Sequence, residues 1–563
     1  KALVRALEKA GTEIIFGYPG GANLPIYEAL QRSGIRHVQA RHEQGAVHAA
    51  DGYARSTGKT GVCLVTSGPG ATNTITGLAT ANFDSVPLVC ITGQVERNMI
   101  GNDAFQEADT VGITRPITKH NYLVTERAEL GPILKSAFCI ANSGRPGPVV
   151  VDIPKDISLL EMEDEYPEHI DIRGYTPEIA VDETQLRHAA EALSKAQRPV
   201  FFIGGGLHIA DAEQSFRGLV DKVRIPVVSS LMGIGILPSD HPLFLGMIGM
   251  HGTYAANMAV TEADLLFSIG VRFDDRATCA IEKFAPKAKI IHIDIDPVAI
   301  ARNVPVAIPI VCDADDAIQA LLPMVRKADI DEWLSTVQEW KASYTIPDNT
   351  DGPYLSPGTV IKEISNEFPD AIISTEVGQN QMWAALFYRF SSARSWLTSG
   401  GLGTMGYGFP AAVGAQIGHP DRRVIDIAGD GSIQMNIQEM ATAVNEGLPV
   451  IVCILNNSFL GMVRQWQELF FEKRYSSTRL DRSNSGSDEI SYKPDFVKLA
   501  DAYGGVGIRV VRKEEIGPAL RRAKEITDRP IIIEFIIEHE ANVFPMVPPG
   551  AGLDEMLLGR EEP

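Results

Sequence analysis

Short apolar runs rich in Val and Ile recur along the whole 563-residue chain, separated by segments of helical length. They include Val62 to Thr66, Leu88 to Thr92, Val149 to Ile153, Val200 to Ile203, Leu265 to Ile269, Lys289 to Ile293, Val424 to Ile427 and Val450 to Leu455. A strand with one wet face alternates polar and apolar residues. These runs do not alternate, so both of their faces are covered, as in parallel sheets flanked by helices. The pattern predicts an α/β fold of three doubly wound parallel-sheet domains.

Two stretches break the pattern. Residues 157–185 contain Glu161, Glu163, Asp164, Glu165, Pro167 and Glu168 with little periodicity, and residues 345–358 contain Pro347, Asp348, Asn349, Asp351, Gly352, Pro353 and Pro357. Read as linkers, they divide the chain into domains 1–160, 183–340 and 358–545, with 546–563 as a C-terminal tail. The first and third domains echo each other. VCLVTSGPGATNTITGLATANFDSVPLVCITG begins at Val62, VIDIAGDGSIQMNIQEMATAVNEGLPVIVCILNN begins at Val424, and strand, Gly turn, helix, Pro and strand recur almost in register. Doubly wound sheets bind ligands beyond the carboxyl ends of their strands, so two such copies offer two Gly-rich edges to one extended cofactor.

Acidic residues exceed basic ones by 71 to 51, and the net charge of −20 gives no general attraction for nucleic acid or anionic lipid. Anions must be held locally. No window approaches the ~18 unbroken apolar residues of a membrane span. The six cysteines form no C-x-x-C pair, and Cys63, Cys90 and Cys453 lie in apolar runs, as core residues of a reducing compartment do. No structural disulfide is expected. The chain starts at Lys1 inside an amphipathic pattern without an initiator Met, so upstream residues are expected. A cytoplasmic location is expected, with a plastid or other organelle left open.

Gly429-Asp430-Gly431-Ser432 is predicted to follow a strand and open a helix, and Asn457 closes the next strand. Adjacent strand ends lie side by side, so the Asp430 carboxylate and the Asn457 amide oxygen can reach one hard cation. Mg²⁺ suits few protein oxygens, with water and phosphate completing its shell. Amides at the helix start suit the same phosphate. The plain alternative is a tight turn with a solvated Asp. Together, Gly-Asp-Gly and Asn456-Asn457 resemble the thiamin diphosphate signature of the thiamin enzyme superfamily, which implies the Phe459 carbonyl as a further Mg²⁺ ligand. Thiamin chemistry also needs a carboxyl group beside the aminopyrimidine ring, far from the diphosphate. His42-Glu43-Gln44-Gly45-Ala46, after the short strand His37 to Ala40 and leading into a helix, offers Glu43. Alone, such a Glu reads as a helix-dipole or capping residue.

The resemblance then becomes closer. Gly17-Tyr18-Pro19-Gly20-Gly21, Thr66-Ser67-Gly68-Pro69-Gly70-Ala71-Thr72-Asn73, Asp103-Ala104-Phe105-Gln106-Glu107, Ser143-Gly144-Arg145-Pro146-Gly147-Pro148, Asp152-Ile153-Pro154-Lys155-Asp156 and Gly400-Gly401-Leu402-Gly403-Thr404-Met405-Gly406 resemble the catalytic subunits of the acetohydroxyacid synthase (acetolactate synthase) family. The likeness covers essentially the full length. It implies decarboxylation of pyruvate and transfer of the two-carbon unit to a second pyruvate or to 2-ketobutyrate, on the route to valine, leucine and isoleucine.

Carried over by resemblance, Glu43, Gln106 and Met462 are catalytic, and Phe105, Lys155, Met250, Arg276, Val463 and Trp466 bind substrate. Thiamin diphosphate would meet Tyr18, Gly20, Pro69, Asn73, Val377, Gly378, Gln379, Asn380, Gly403, Met405, Asp430, Gly431, Ser432, Met435 and Asn457. One or both of Met405 and Met435 would be apolar wedges that bend it. Asn380 stands where the family usually has His, and Asn can still donate a hydrogen bond but cannot carry charge.

The middle domain has Gly204-Gly205-Gly206 but no G-x-G-x-x-G, and its acid Asp294 lies far downstream, so the NAD fingerprint is absent. The resemblance instead implies FAD as a structural, non-redox group on Arg145, Gly204, Gly205, Gly206, Leu231, Met232, His251, Gly270, Arg272, Asp274, Arg276, Asp294, Ile295, Asp313 and Ala314. Arg272-Phe273-Asp274-Asp275-Arg276 argues against the FAD-independent fermentative type. Arg276 would grip the second ketoacid's carboxylate, and Trp466 would favour 2-ketobutyrate, one methylene being worth ~1–3 kcal/mol in such a pocket. The family implies a homodimer or tetramer with active sites at the dimer interface and a separate small regulatory subunit. Two other readings stand beside it: a flavin- and thiamin-dependent pyruvate oxidase, and a non-enzymatic nucleotide-binding scaffold.

Overall fold

The structure, a computed structural model, describes residues 1–160, 166–177, 179–348, 352–481 and 493–559. Parts of both expected linkers and the polar run Ser483 to Glu489 lie outside these residues.

Eighteen strands form three six-stranded sheets among the described residues. The first holds β1 (Ile14–Gly17), β2 (Arg36–Gln39), β3 (Gly61–Val65), β4 (Leu88–Gln94), β5 (His120–Leu123) and β6 (Pro148–Pro154) in the order β2-β1-β3-β4-β6-β5. The second holds β7 (Pro199–Ile203), β8 (Val227–Ser229), β9 (Phe244–Met247), β10 (Leu265–Ile269), β11 (Lys289–Asp294) and β12 (Ile308–Val311) in the order β12-β11-β10-β7-β8-β9. The third holds β13 (Ile372–Thr375), β14 (Trp396–Leu397), β15 (Val424–Gly429), β16 (Ile451–Asn456), β17 (Val506–Val510) and β18 (Ile531–Ile536) in the order β14-β13-β15-β16-β18-β17. Every neighbouring pair is parallel. The third sheet repeats the first strand for strand, so the echo in the sequence is an echo in topology.

Where the strand order reverses, a crevice opens at the carboxyl ends. In the first sheet this point lies between β1 and β3, which lead into Tyr18 to Gly20 and Thr66 to Pro69. In the third it lies between β13 and β15, leading into Glu376 to Gly378 and Gly429 to Ser432. The second sheet has the strand order of a dinucleotide-binding fold, with its reversal between β7 and β10. There the chain replaces the missing G-x-G-x-x-G with a glycine contact from outside the turn: a Cβ on Gly206 would lie 2.6 Å from the Gly270 Cα, and one on Gly204 would overlap the Gly270 carbonyl.

The first and third sheets share one apolar core, which runs from Val38, Cys63 and Leu88 to Tyr407, Val424 and Val450. Its centre is the contact between helices Glu43–Thr57 and Gly408–Gly418. A Cβ on Gly52 would overlap Ala411 O, and one on Gly414 would overlap Ala49 O, so the two backbones touch directly. Val547, Leu553 and Met556, from the expected tail, pack into the core of the middle sheet. All six cysteines are free, with Cys63, Cys90, Cys312 and Cys453 buried. Among the described residues no helix is long and apolar enough to cross a membrane.

One local expectation is corrected. Gly429-Asp430-Gly431-Ser432 does not open a regular helix. Two 3-10 turns, Ile433–Met435 and Ile437–Glu439, precede the short helix Met440–Asn445. Asn436 interrupts at φ −133°, and its Nδ2 donates to Gly406 O at 2.6 Å, which ties this turn to the neighbouring loop. The amides that follow Gly431 therefore belong to 3-10 turns and not to the first turn of an α-helix.

Candidate functional site

Glu43 is the first residue of helix Glu43–Thr57, which His42 caps by accepting from Gln44 N at 3.1 Å. Its Oε2 accepts from Asn73 Nδ2 at 2.9 Å. A Cβ on Gly70 would lie 3.6 Å from Glu43 Oε1 and 2.7 Å from Thr66 Cγ2, and one on Gly20 would lie 2.5 Å from the same methyl. The glycines thus keep the surroundings of this carboxyl narrow. Pro69 opens the turn Pro69–Thr72, and Tyr18 is partly exposed at the same edge.

Sequence reasoning missed what holds this corner. Glu439, 2% exposed, accepts at Oε1 from Arg41 N and His42 N, both at 3.0 Å, and at Oε2 from Thr442 Oγ1 at 2.6 Å. Burial pushes its carboxyl up to about 7. A Cβ on Gly45 would overlap it. The contact joins the first and third sheets, and no motif spacing announces it.

On the third sheet, β15 and β16 are neighbours, which brings Asp430 and Asn457 to adjacent strand ends. Asp430 is 5% exposed, and no ion pair among the described residues reaches it. Burial pushes its carboxyl up to about 7, tempered by the Lys493 charge. Asn457 donates from Nδ2 to Gln379 Oε1 at 3.3 Å and accepts at Oδ1 from Phe459 N at 3.1 Å. A buried carboxyl with no direct ion pair among the described residues, beside an amide oxygen, is a donor set that fits a hard cation. Ser432 Oγ bonds back to Gly429, and a Cβ on Gly431 would meet Leu460 and Leu480. Gly403, at φ +72°, borders open space. Met405 is half-buried and Met435 is 52% exposed, so neither is core filler.

Asn380 departs from its expected part. Its Nδ2 donates to Glu376 O at 2.9 Å and Ile427 O at 2.8 Å, bridging the ends of β13 and β15. Both amide hydrogens are spent, so none remains for a diphosphate. Only Oδ1 is left, 3.3 Å from where a Gly429 Cβ would stand. Asn380→His is expected to tighten thiamin diphosphate binding about tenfold by placing a donor at this edge. Calorimetry at saturating Mg²⁺ measures this; unchanged or weaker binding would mean that the bridge between the strands matters more.

A cavity of about 1720 Å³ lies where residues of all three sheet domains meet, with Phe83, Asp84 and Arg145 contributed by the first. Arg145, Gly205, Gly206, Leu231, Met232, Met250, His251, Gly270, Arg272, Asp274, Arg276, Asp294, Ile295, Asp313 and Ala314 line it, together with Val377, Gly378, Gly403, Met462, Val463 and Trp466. Gly204 lies behind this wall against Gly270. His251 is buried, its Nδ1 lies 3.0 Å from Pro545 O, and burial pushes its pKa down to about 4. The ring is therefore neutral, with Nδ1–H donating to the carbonyl. Its Nε2 is then a buried acceptor without a partner among the described residues, and an N–H of a flavin-sized ligand would satisfy it. Asp313 also caps helix Ala314–Leu321. Arg276 is well exposed, 3.7 Å from Asp275 Oδ2 and 4.0 Å from Met250 Sδ, which leaves its guanidinium available to a carboxylate.

Phe105, Gln106 and Lys155 do not line this cavity. Phe105 is 88% exposed, Gln106 has φ +60° and packs its backbone over Gly68, and Lys155 begins helix Lys155–Leu159. The sequence also hid Asp84, which accepts from Gly400 N at 3.0 Å, Gly401 N at 2.7 Å and Arg55 Nη2 at 3.0 Å, and so holds the cavity loop.

Three family models match the chain in series: the thiamine pyrophosphate enzyme N-terminal TPP binding domain over residues 1–113, the central domain over 186–321, and the C-terminal TPP binding domain over 376–535. The acetolactate synthase large subunit of Corynebacterium glutamicum is 49% identical over 559 residues, 98% of this chain and 88% of that protein. The acetolactate synthase large subunit of Haemophilus influenzae is 46% identical over 570 residues, 100% of this chain and 98% of that one. The acetolactate synthase isozyme 3 large subunit of Escherichia coli K12 is 45% identical over 573 residues, with 100% and 98% covered.

Proposed function

The chain belongs to the family of acetolactate synthase large subunits, within the thiamine pyrophosphate enzymes, and on that premise we propose that it makes 2-acetolactate and 2-aceto-2-hydroxybutyrate for branched-chain amino acid biosynthesis. Pyruvate loses carbon dioxide, and its two-carbon unit is joined to a second pyruvate or to 2-ketobutyrate. The observation that carries this reading is that one cavity gathers Arg276, Met250, Val463 and Trp466 with Val377 and Gly378 of the third sheet's edge.

Thiamin diphosphate, when bound, supplies the electron sink that decarboxylation needs. Asp430, Asn457 and the Phe459 carbonyl would hold Mg²⁺ beside its diphosphate, and Met405 and Met435 would press on it. Glu43 would exchange a proton at Oε1, while Asn73 keeps Oε2 in place. Arg276 would take the acceptor carboxylate in its fork, with Val463 and Trp466 closing around the alkyl end. FAD would occupy the crevice of the middle sheet around Gly204 to Gly206, Gly270 and His251. No net electrons move in the reaction, so its part there is structural.

Phe105, Met99 and Ile100 are exposed on one chain, and their cover would be a second copy in a dimer or tetramer with active sites at the interface. Domain limits near 160–183 and 340–358, a small regulatory subunit and a cytoplasmic location complete the reading. The test is anaerobic incubation of the purified protein with pyruvate, 2-ketobutyrate, thiamin diphosphate, Mg²⁺ and FAD. Both acetohydroxyacids are expected. Pyruvate consumption only with oxygen or quinone, and no hydroxyacid, would identify an oxidase; no turnover or cofactor binding would identify a scaffold.

A further inference from the structure

Helix Gly461–Phe470 presents Met462, Val463 and Trp466 to the cavity, yet none of its apolar residues is buried. Its buried residues are Arg464 and Gln465, both fully enclosed. Apolar burial is non-directional, and here it comes only from partly buried side chains, of which Met462 packs against the third sheet's core. The rotation of this helix about its axis must therefore be set by hydrogen bonds, which are directional.

The bonds of these two buried side chains lead mainly to one segment, while Gln467 farther along the helix donates from Nε2 to Ser476 O and accepts at Oε1 from Thr478 Oγ1, both at 3.0 Å. Arg464 donates from Nη1 to Glu468 Oε2 at 2.6 Å and from Nη2 to Ala541 O at 3.1 Å and Asn542 Oδ1 at 2.5 Å. Asn542 Nδ2 donates to the same Glu468 oxygen at 3.1 Å. Gln465 exchanges a pair of bonds with the Val543 backbone, at 3.0 and 2.8 Å. Gln379 Nε2 donates to Gln465 Oε1 and to Ala541 O, both at 2.8 Å. Gln379 Oε1 meanwhile accepts from Asn457, so this side chain joins the network to the proposed Mg²⁺ edge and has no donor left over.

We propose that Arg464 and Gln465, through residues 541–543, are positioning residues that fix the rotation of this helix and thereby the width of the acceptor pocket at Val463 and Trp466. Specificity is then set partly from behind the pocket wall. The inference rests on the acetohydroxyacid-forming reading above. Discrimination by one methylene depends on close apolar contact, which a small rotation of the wall would relax. The buried Arg464 guanidinium has partners at Nη1 and Nη2 and none at Nε among the described residues, and its planar fork reaches two directions that a Lys ammonium cannot hold together.

The test is the ratio of 2-aceto-2-hydroxybutyrate to 2-acetolactate formed from an equimolar mixture of 2-ketobutyrate and pyruvate, by wild type, Arg464→Lys and Asn542→Ala. Both products come from the same active molecules, so a loss of folded enzyme does not move the ratio. Asn542 is half-buried and outside the helix, which keeps the question answerable if Arg464→Lys fails to fold. The ratio is expected to fall about three- to tenfold in each soluble variant. A ratio within about twofold of wild type, by the same scale, would overturn the proposal. Absence of both products in wild type would overturn the activity reading and this proposal with it.

Discussion

Glu43→Gln is expected to lower turnover of pyruvate by about 10²–10⁴-fold, the range for loss of a positioned acid–base group, while leaving the chain folded. The amide has the shape of the carboxyl, and its oxygen can still accept the Asn73 bond that Glu43 Oε2 accepts at 2.9 Å. Glu439 grips the backbone of Arg41 and His42, not the Glu43 side chain, so the helix start stays in place. What disappears is a group able to take up and return a proton at Oε1. Steady-state turnover and the thermal midpoint, measured together, separate chemistry from folding. A folded Gln variant with near-normal turnover would remove Glu43 from the proton-exchanging role.

Asp430→Asn is expected to weaken Mg²⁺-dependent thiamin diphosphate binding by two to three powers of ten, since breaking a buried charge pair costs ~3–5 kcal/mol. The pH dependence supplies an independent check. Burial pushes the Asp430 carboxyl from its ordinary 3.8 up to about 7. Across that window the folded chain holds a proton that the unfolded chain has lost, so this group makes the fold less stable as pH rises. A cation reverses the balance by displacing the proton. Cofactor affinity should therefore fall about tenfold from pH 8 to pH 6 in the wild type, and this contribution should be absent in Asp430→Asn. Calorimetry at both pH values measures it, and identical pH profiles for the two proteins would exclude Asp430 as the ligand.

Much of this architecture is visible in the sequence, because a strand buried on both faces has to be continuously apolar. Val424 to Ile427 and Val450 to Leu455 are such runs, and they lie within a few residues of β15 and β16. The echo between Gly68 and Gly429 shows in sequence because both copies need a turn at the same place in the fold. The helix after Gly429 was misleading: the segment has helical composition, but the side chain of Asn436 finds a better partner in Gly406 O, a contact across the fold. Asn380 is visible as an exchange for His, but the direction of its amide is decided by the carbonyls of β13 and β15. Glu439, Asp84 and Arg464 share this difficulty. Each has at least one backbone partner distant in sequence, and a backbone partner leaves no residue type to recognise.

The direct backbone contact at Gly52 and Gly414 also removes a degree of freedom. With no side chain between the two helices there is nothing to reshuffle, and sliding by one residue would drive a Cβ into a carbonyl. The first and third sheets are therefore expected to stay locked together at this contact, and slow amide exchange across 408–418 would show that the contact does not open. Hinge motion is left to the middle sheet, which carries Arg276. That sheet is not free either: Val547 N bonds Met250 O at 2.8 Å and Pro545 O bonds His251, on a segment whose other end is held by Gln465 at Val543. A swing of the middle sheet is then expected to pull on the helix of Trp466, so the Arg276 shelf and the Trp466 wall, proposed to take a ketoacid's carboxylate and its alkyl chain, would act as two ends of one lever.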